Sequence, residues 1–162
     1  EPCPWRSQAL GFTQGLQGVV HDDNAFAMGG GTSHAGAFAR ACDVLEWASH
    51  FLMPMLQSQS LSIFSRKTIE KLWAPAKSPV GCTRSSGFDS PAAVGSSAGQ
   101  RMSRRACGHL GFTGTSVWID PDHRLVVTLL TNRVNLGREN EKIRLFRPLI
   151  HDLLLQEIAG SA

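Results

Sequence analysis

The chain has 162 residues, with 16 Lys and Arg against 13 Asp and Glu for a net charge of +3. That length suits one domain or a piece of a larger one, and it allows roughly 70% of the unfolded surface to be buried. With 42% apolar and 18% charged residues, the chain is not a charged disordered tail. No apolar run approaches the ~18 residues of a membrane span. The one dense basic cluster, Arg101, Arg104 and Arg105, has no interleaved aromatic, which argues against a nucleic-acid partner. The cysteines at 3, 42, 82 and 107 form no Cys-x-x-Cys; their even number permits two disulfides without requiring them. Tyr is absent, and Glu1 follows no basic and apolar leader pattern. The expectation is a removed leader or a fragment.

Residues 1–18, with Pro2, Pro4, Gly11, Gly15 and Gly18, suggest an irregular segment. Asp22 is a candidate cap for a short helix that Gly29, Gly30 and Gly31 end. Phe38, Cys42, Leu45, Trp47, Phe51, Leu52 and Leu56 recur at helical spacing and predict an amphipathic helix over 38–53. A second is expected over 65–73. The Pro-, Ser- and Gly-rich stretch 74–104 predicts a long loop with one strand near Gly87-Phe88-Asp89. Strands are expected at 106–112, 116–119 and 124–131, with turns at Thr113-Gly114 and Asp120-Pro-Asp-His123. Ile143, Phe146, Ile150, Leu153, Leu154 and Ile158 form a terminal helical stripe over about 139–159, expected to be core. Pro148 should kink that helix or begin a second one.

Several motifs in order then resemble one family. They are Gly18-Val-Val-His-Asp-Asp-Asn-Ala25, Gly29-Gly30 and His34-Ala-Gly-Ala-Phe38, followed by Gly87-Phe-Asp-Ser-Pro91 and Ser96-Ser-Ala-Gly99. After them come Gly108-His-Leu-Gly-Phe-Thr-Gly-Thr-Ser116, Trp118-Ile-Asp-Pro121, Leu129-Leu-Thr-Asn-Arg133, Ile143-Arg-x-x-Arg-Pro148 and His151-Asp152. Together they resemble serine hydrolases of the class C β-lactamase and penicillin-binding-protein type across nearly the whole chain. The resemblance implies an α+β fold of the α/β-sandwich type, an antiparallel sheet with packing helices, here incomplete. It also implies acyl-enzyme chemistry in which a serine attacks a carbonyl and a strand edge supplies the oxyanion hole.

By that resemblance His109-Leu110-Gly111 takes the place of Lys-Thr-Gly, and Phe112 offers its backbone N–H to the oxyanion, a contribution of about 3–4 kcal/mol. His109 and Phe112 are thus the expected catalytic groups. Gly111, Thr113, Gly114, Asn132, Arg133, Asn24 and His34 are the expected substrate-binding positions. Histidine for lysine and leucine for threonine weaken the case for β-lactams and favour a peptidase- or esterase-like role. No Ser-x-x-Lys exists, since Lys67, Lys71, Lys77 and Lys142 follow Phe64, Thr68, Ala74 and Glu139 at that spacing. Ser97, Ser103 and Ser116 lack the setting of a nucleophile. The expectation is therefore the C-terminal portion of a hydrolase, inactive alone, whose partner is the nucleophile-bearing N-terminal half and whose substrate is a small molecule or peptide.

Plainer roles weigh against parts of this reading. Asn24 and His34 suit turn stabilisation, Arg133 suits a strand-end ion pair, and His109 suits a simple strand position. A non-catalytic peptide-binding or structural module is the alternative. A metal-dependent hydrolase built on His21-Asp22 and His151-Asp152 is a weaker third; no cofactor or metal is expected. The compartment is not legible, although the resemblance leans toward a place outside the cytoplasm.

Overall fold

The computed structural model describes residues 17–57, 62–74, 82–135 and 137–160. Most of the irregular stretch expected over 1–18, and part of the loop expected over 74–104, lie outside them. In chain order come helices α1 (Asp23–Ala27), α2 (Ala41–Leu56) and α3 (Arg66–Trp73), strands β1 (Cys107–Leu110), β2 (Ser116–Asp120) and β3 (Leu125–Leu129), and helix α4 (Ile143–Gly160). The three strands form an antiparallel sheet in the order β1-β2-β3. Helices plus an antiparallel sheet make this an α+β fold, as expected.

Local chemistry sets the helix ends. Asp22 Oδ1 accepts the Ala25 N–H at 2.8 Å and caps α1, and Ser65 Oγ accepts the Thr68 N–H at 3.1 Å and caps α3. Asp43 Oδ2 accepts the Arg40 N–H at 3.0 Å, so α2 begins three residues later than its apolar period suggests. The helix then runs through Pro54. A proline there cannot donate to the His50 carbonyl, and the Ser62 hydroxyl bonds that carbonyl instead. The strand expected near residue 88 is reduced to two isolated bridges at Asp89, one to Arg84 and one to Gly108, with which it exchanges backbone bonds of 2.7 and 2.9 Å.

The strand alternation divides the core in two. Cys107, Val117, Ile119 and Val126 face α2 and meet Ala48, Phe51, Leu52, Ile69 and Phe88. Trp118 and Val127 face the other way, onto Ala98, Met102, Ala106 and Leu155 of α4. Each fully buried large side chain here contributes about 1.5–3 kcal/mol. Gly108 must be glycine, because a Cβ would run into the Val117 carbonyl and the Trp118 ring.

The expected core stripe of α4 is corrected. Phe146, Leu153, Leu154 and Ile158 are exposed, and the buried face is Ile143, Arg147, His151 and Leu155 at i,i+4 spacing. The two polar side chains turn inward because backbone carbonyls await them. His151 Nδ1–H donates to the Ser97 carbonyl at 3.0 Å, leaving Nε2 3.5 Å from Ser116 Oγ. The next residue, Asp152, accepts the Gln100 and Arg101 N–H groups at 2.7 and 2.9 Å. Likewise Phe38, Leu45 and Trp47 of the expected α2 stripe are exposed. Pro148 neither ends nor restarts α4, which is one assigned helix throughout.

The β2–β3 turn hangs on Asp120, which is fully buried. Its carboxylate accepts the Ser103 N–H and hydroxyl, each at 2.7 Å, and the Asp122 and His123 N–H groups at 3.1 and 3.2 Å. His123 Nδ1 lies 2.8 Å away. Burial works to raise the Asp120 carboxyl, but the hydrogen bonds of His123 and Ser103 outweigh it and hold the group below its ordinary value. Burial pushes the His151 imidazole down, with Arg147 adding to the effect.

Both shifts mean that the folded state binds fewer protons than the unfolded chain across the shifted interval, so acidification destabilises the fold in each case. The His151 contribution should begin to disappear as pH falls below about 6.5 and the Asp120 contribution below about 3.9. Urea midpoints against pH should therefore lose slope near pH 6 in His151→Gln and at the acidic end in Asp120→Asn. At neutral pH Asp120→Asn should cost about 1–3 kcal/mol. Unchanged pH profiles in both variants would refute this account.

Candidate active site

The β1–β2 connection is a tight turn. The Gly114 N–H donates to the Gly111 carbonyl at 3.1 Å, and the Gly111 N–H donates to the Thr115 carbonyl at 2.8 Å. Gly114 has φ +111°, and a Cβ there would press on Thr131 Oγ1 and the Arg133 backbone. The turn therefore requires glycine at that position. The end of β3 grips it from the side. The Thr131 hydroxyl donates to the Gly114 carbonyl at 2.7 Å, and the Arg133 N–H to the Thr113 carbonyl at 2.8 Å.

Arg133 takes up the remaining carbonyl of the turn, and Arg147 adds a second donor to two others. Arg133 Nε donates to the Phe112 carbonyl at 2.6 Å, and its Nη1 to the Arg138 and Asn140 carbonyls at 2.8 Å each. The same guanidinium lies 4.2 Å from the centre of the Phe112 ring, in cation–π range. Arg147 Nη2 donates to the Gly111 and Thr115 carbonyls, both at 2.7 Å. The Phe112 ring is exposed and also stacks on His21, with centroids 5.9 Å apart and planes at 28°. Among the described residues no backbone carbonyl accepts the Phe112 N–H.

The structure thus brings Gly111, Phe112, Thr113, Gly114 and Arg133 into one cluster. His109 lies two residues before the turn, opposite Val117 in β1, with an exposed side chain. Asn132 borders the cluster beside a cavity of about 230 Å³ that Thr131, Arg133, Asn140, Lys142, Ile143 and Phe146 also line. Among the described residues, neither of the buried side-chain polar atoms of Asn132 has a hydrogen-bond partner. His34 Nε2 lies 3.1 Å from Asp22 Oδ1. That carboxyl is held below its ordinary value, first by the Ala25 N–H and then by His34. Asn24 is exposed on α1, with its carbonyl accepting the Met28 N–H at 3.0 Å. Asp23 in α1 pairs with Arg138 at 2.9 Å, and Arg138 supplies one of the carbonyls that Arg133 holds. α1 is therefore tied to the cluster through Arg138 as well as through His21.

Residue chemistry alone did not single out His21, Arg147 or His151 for these contacts. The available signal was the i,i+4 spacing of Arg147 and His151 beneath an apolar helix pattern. The two His-Asp pairs do not converge on a metal: His151 and Asp152 are bonded to Ser97, Gln100 and Arg101. Among the described residues no group of three or more His, Cys, Asp or Glu is placed to hold one. Cys42, Cys82 and Cys107 are free thiols, and burial pushes the Cys107 thiol up.

The Beta-lactamase family model matches residues 4–150, and the chain belongs to that family. It is 35% identical over 125 residues to an N-acetylmuramyl-L-alanine amidase of Bacillus subtilis (strain 168), covering 75% of this chain and 27% of the relative. It is 30% identical over 137 residues to a candidate D-alanyl-D-alanine carboxypeptidase of Salmonella typhi, covering 81% and 30%. A solved β-lactamase from Mycobacterium bovis shares the fold at TM-score 0.62 and 21% identity, over 76% of this chain and 46% of that one. The chain thus spans less than a third of these two curated relatives.

The Arg133 clamp is directly testable. Arg133→Met should cost about 2–4 kcal/mol, since it leaves three carbonyls without a charged donor. Amide hydrogen exchange should quicken at Gly114 and Asn140, whose N–H groups are bonded within this region, while β1 and β2 stay protected. Uniform exchange across the whole sheet would show that the clamp is not local.

Proposed function

We propose that this chain is the C-terminal portion of a serine hydrolase that cleaves an amide or ester through an acyl-enzyme, with the nucleophile supplied by polypeptide outside these residues. The observation that carries the reading is the Phe112 N–H, free of any carbonyl among the described residues and located in a turn whose carbonyls, from Gly111 to Thr115, all accept hydrogen bonds. An oxyanion developing on a tetrahedral intermediate needs such a donor, fixed before the reaction and unspent in the ground state. His109, exposed nearby, is proposed to hold or move a proton near the leaving group. Gly111, Thr113 and Gly114 form the wall on which substrate backbone would lie. Arg133 gives two of its nitrogens to carbonyls, so its proposed part in substrate binding is mainly to shape that wall. Asn132, Asn24 and His34 are proposed for the rim.

The names of the two relatives point to amides of cell-wall peptides as substrates, and a D-alanyl amide is the proposed class. Exposed apolar side chains on α2 and α4, such as Trp47, Leu145 and Leu149, support a further part of the same domain as the physical partner.

A fluorophosphonate probe distinguishes this reading from a non-catalytic module. The 162-residue chain should not be labelled, whereas a longer product of the same gene carrying Ser-x-x-Lys should be. In that longer protein His109→Ala should lower kcat/KM by roughly 10²- to 10⁴-fold. Labelling of the 162-residue chain, or full activity without His109, would overturn the proposal.

A further inference from the structure

We infer that Arg147 is a positioning residue that aims and polarises the Phe112 N–H; this rests on the proposed oxyanion role of that group. The argument begins with one peptide plane. The Gly111 carbonyl and the Phe112 N–H belong to the same trans peptide, so they point in opposite directions. Arg147 Nη2 holds that carbonyl at 2.7 Å from the α4 side, with the Gly114 N–H at 3.1 Å as its second donor. With the carbonyl drawn toward α4, the N–H must face away from it. The same nitrogen reaches the Thr115 carbonyl at 2.7 Å, so both sides of the turn are fixed to one guanidinium. The next plane is fixed independently, because Arg133 Nε holds the Phe112 carbonyl. The donor is therefore oriented by bonds on both sides of its own residue.

Charge supplies the second half of the argument. Arg147 is only 7% exposed, yet among the described residues no carboxylate pairs with it. A buried, uncompensated cation is costly, and here it stands near a second one, Arg133. Five carbonyl bonds solvate the two guanidiniums without neutralising them. A charged donor on the Gly111 carbonyl draws electron density through the peptide and strengthens the opposite N–H as a donor. The remaining positive field lies behind the site where negative charge would grow, so it favours the transition state over the neutral ground state. A helix that needed only to pack against the sheet would gain more from an apolar side chain at this position.

The test uses the full-length hydrolase, labelled with ¹³C′-glycine and ¹⁵N-phenylalanine. Only Gly-Phe peptides then give cross-peaks, and this chain contains three: Gly11-Phe12, Gly87-Phe88 and Gly111-Phe112. In Arg147→Gln the Phe112 peak should move while the Phe88 peak stays. kcat should fall roughly tenfold or more with KM nearly unchanged, and Arg147→Lys should recover part of the loss. An unmoved Phe112 peak and unchanged kcat, in a protein still sensitive to His109→Ala, would overturn the role of Arg147 alone. A moved peak with unchanged kcat would instead overturn the oxyanion role of Phe112, and the inference with it. Should both variants fail to fold, a through-hydrogen-bond coupling between Arg147 Nη and Gly111 C′ is expected in the unmodified protein. Its absence would refute the contact.

Discussion

Five backbone carbonyls captured by two guanidiniums hold the β1–β2 turn in place. Arg133 takes those of Phe112, Arg138 and Asn140, and Arg147 those of Gly111 and Thr115. A turn rich in glycine has little side-chain packing of its own, and its entropy favours many conformations. Charge-assisted bonds from side chains on two separate elements remove that freedom without filling the space in front of the turn. Arginine suits the task where lysine would not, because its planar fork presents several donors in fixed directions while the charge stays delocalised. The result is a rigid turn with an open face, its carbonyls bonded and, among the described residues, the Phe112 N–H accepted by no carbonyl.

The same logic explains why α4 turns polar residues inward. Arg147, His151 and Asp152 each bond backbone groups of the loops beneath them, over sequence separations of 32 to 54 residues. The helix fastens the loop at 97–101 and the turn at 111–115 to one rigid rod. Gly99 belongs to this joint, since a Cβ there would meet Asp152 and the Pro148 carbonyl. Asp120 performs the matching service at the far end of the sheet, tying Ser103 to the β2–β3 turn. Loops that would otherwise be mobile are thus locked from both ends of the strands, and a site built from loops gains the precision of one built on regular elements.

Sequence patterns exposed the hairpins because their signals are local. Asp120-Pro-Asp-His123 is a turn by its own chemistry, and the β-branched residues on either side fit a half-buried sheet. The buried face of α4 escaped because a period counted in apolar residues cannot reveal that Arg147 and His151 face the core. The passage of α2 through Pro54 escaped for a related reason: the compensating Ser62 hydroxyl comes from outside the helix. At the candidate site the Thr113-Gly114 turn was legible from its own residues, whereas His109 and the turn stood out as site positions only through the resemblance of the whole motif. Composition and spacing identified glycines, whereas the clamp that makes them useful joins the turn at 111–115 to Arg133 and Arg147, which are remote in sequence.

The exposed faces complete the picture. α4 carries Leu145 at 80% and Leu149 at 57% exposure, and α2 carries Trp47 at 47%. Beyond β3 the sheet, as described, ends in an unpaired edge. Unpaired edges and exposed apolar helix faces are liabilities that folded proteins generally cover. The two faces lie on elements that already hold the sheet from opposite sides, so polypeptide covering them would extend the same sandwich rather than begin a second core. Such an arrangement fits the proposed function, in which one part of the domain would carry the proposed oxyanion donor, rigid in advance, and another the nucleophile. It also accounts for the division of polar bonds. The carbonyls that shape the turn are bonded within this chain, while the apolar surfaces left over are the ones suited to the further part of the domain proposed above.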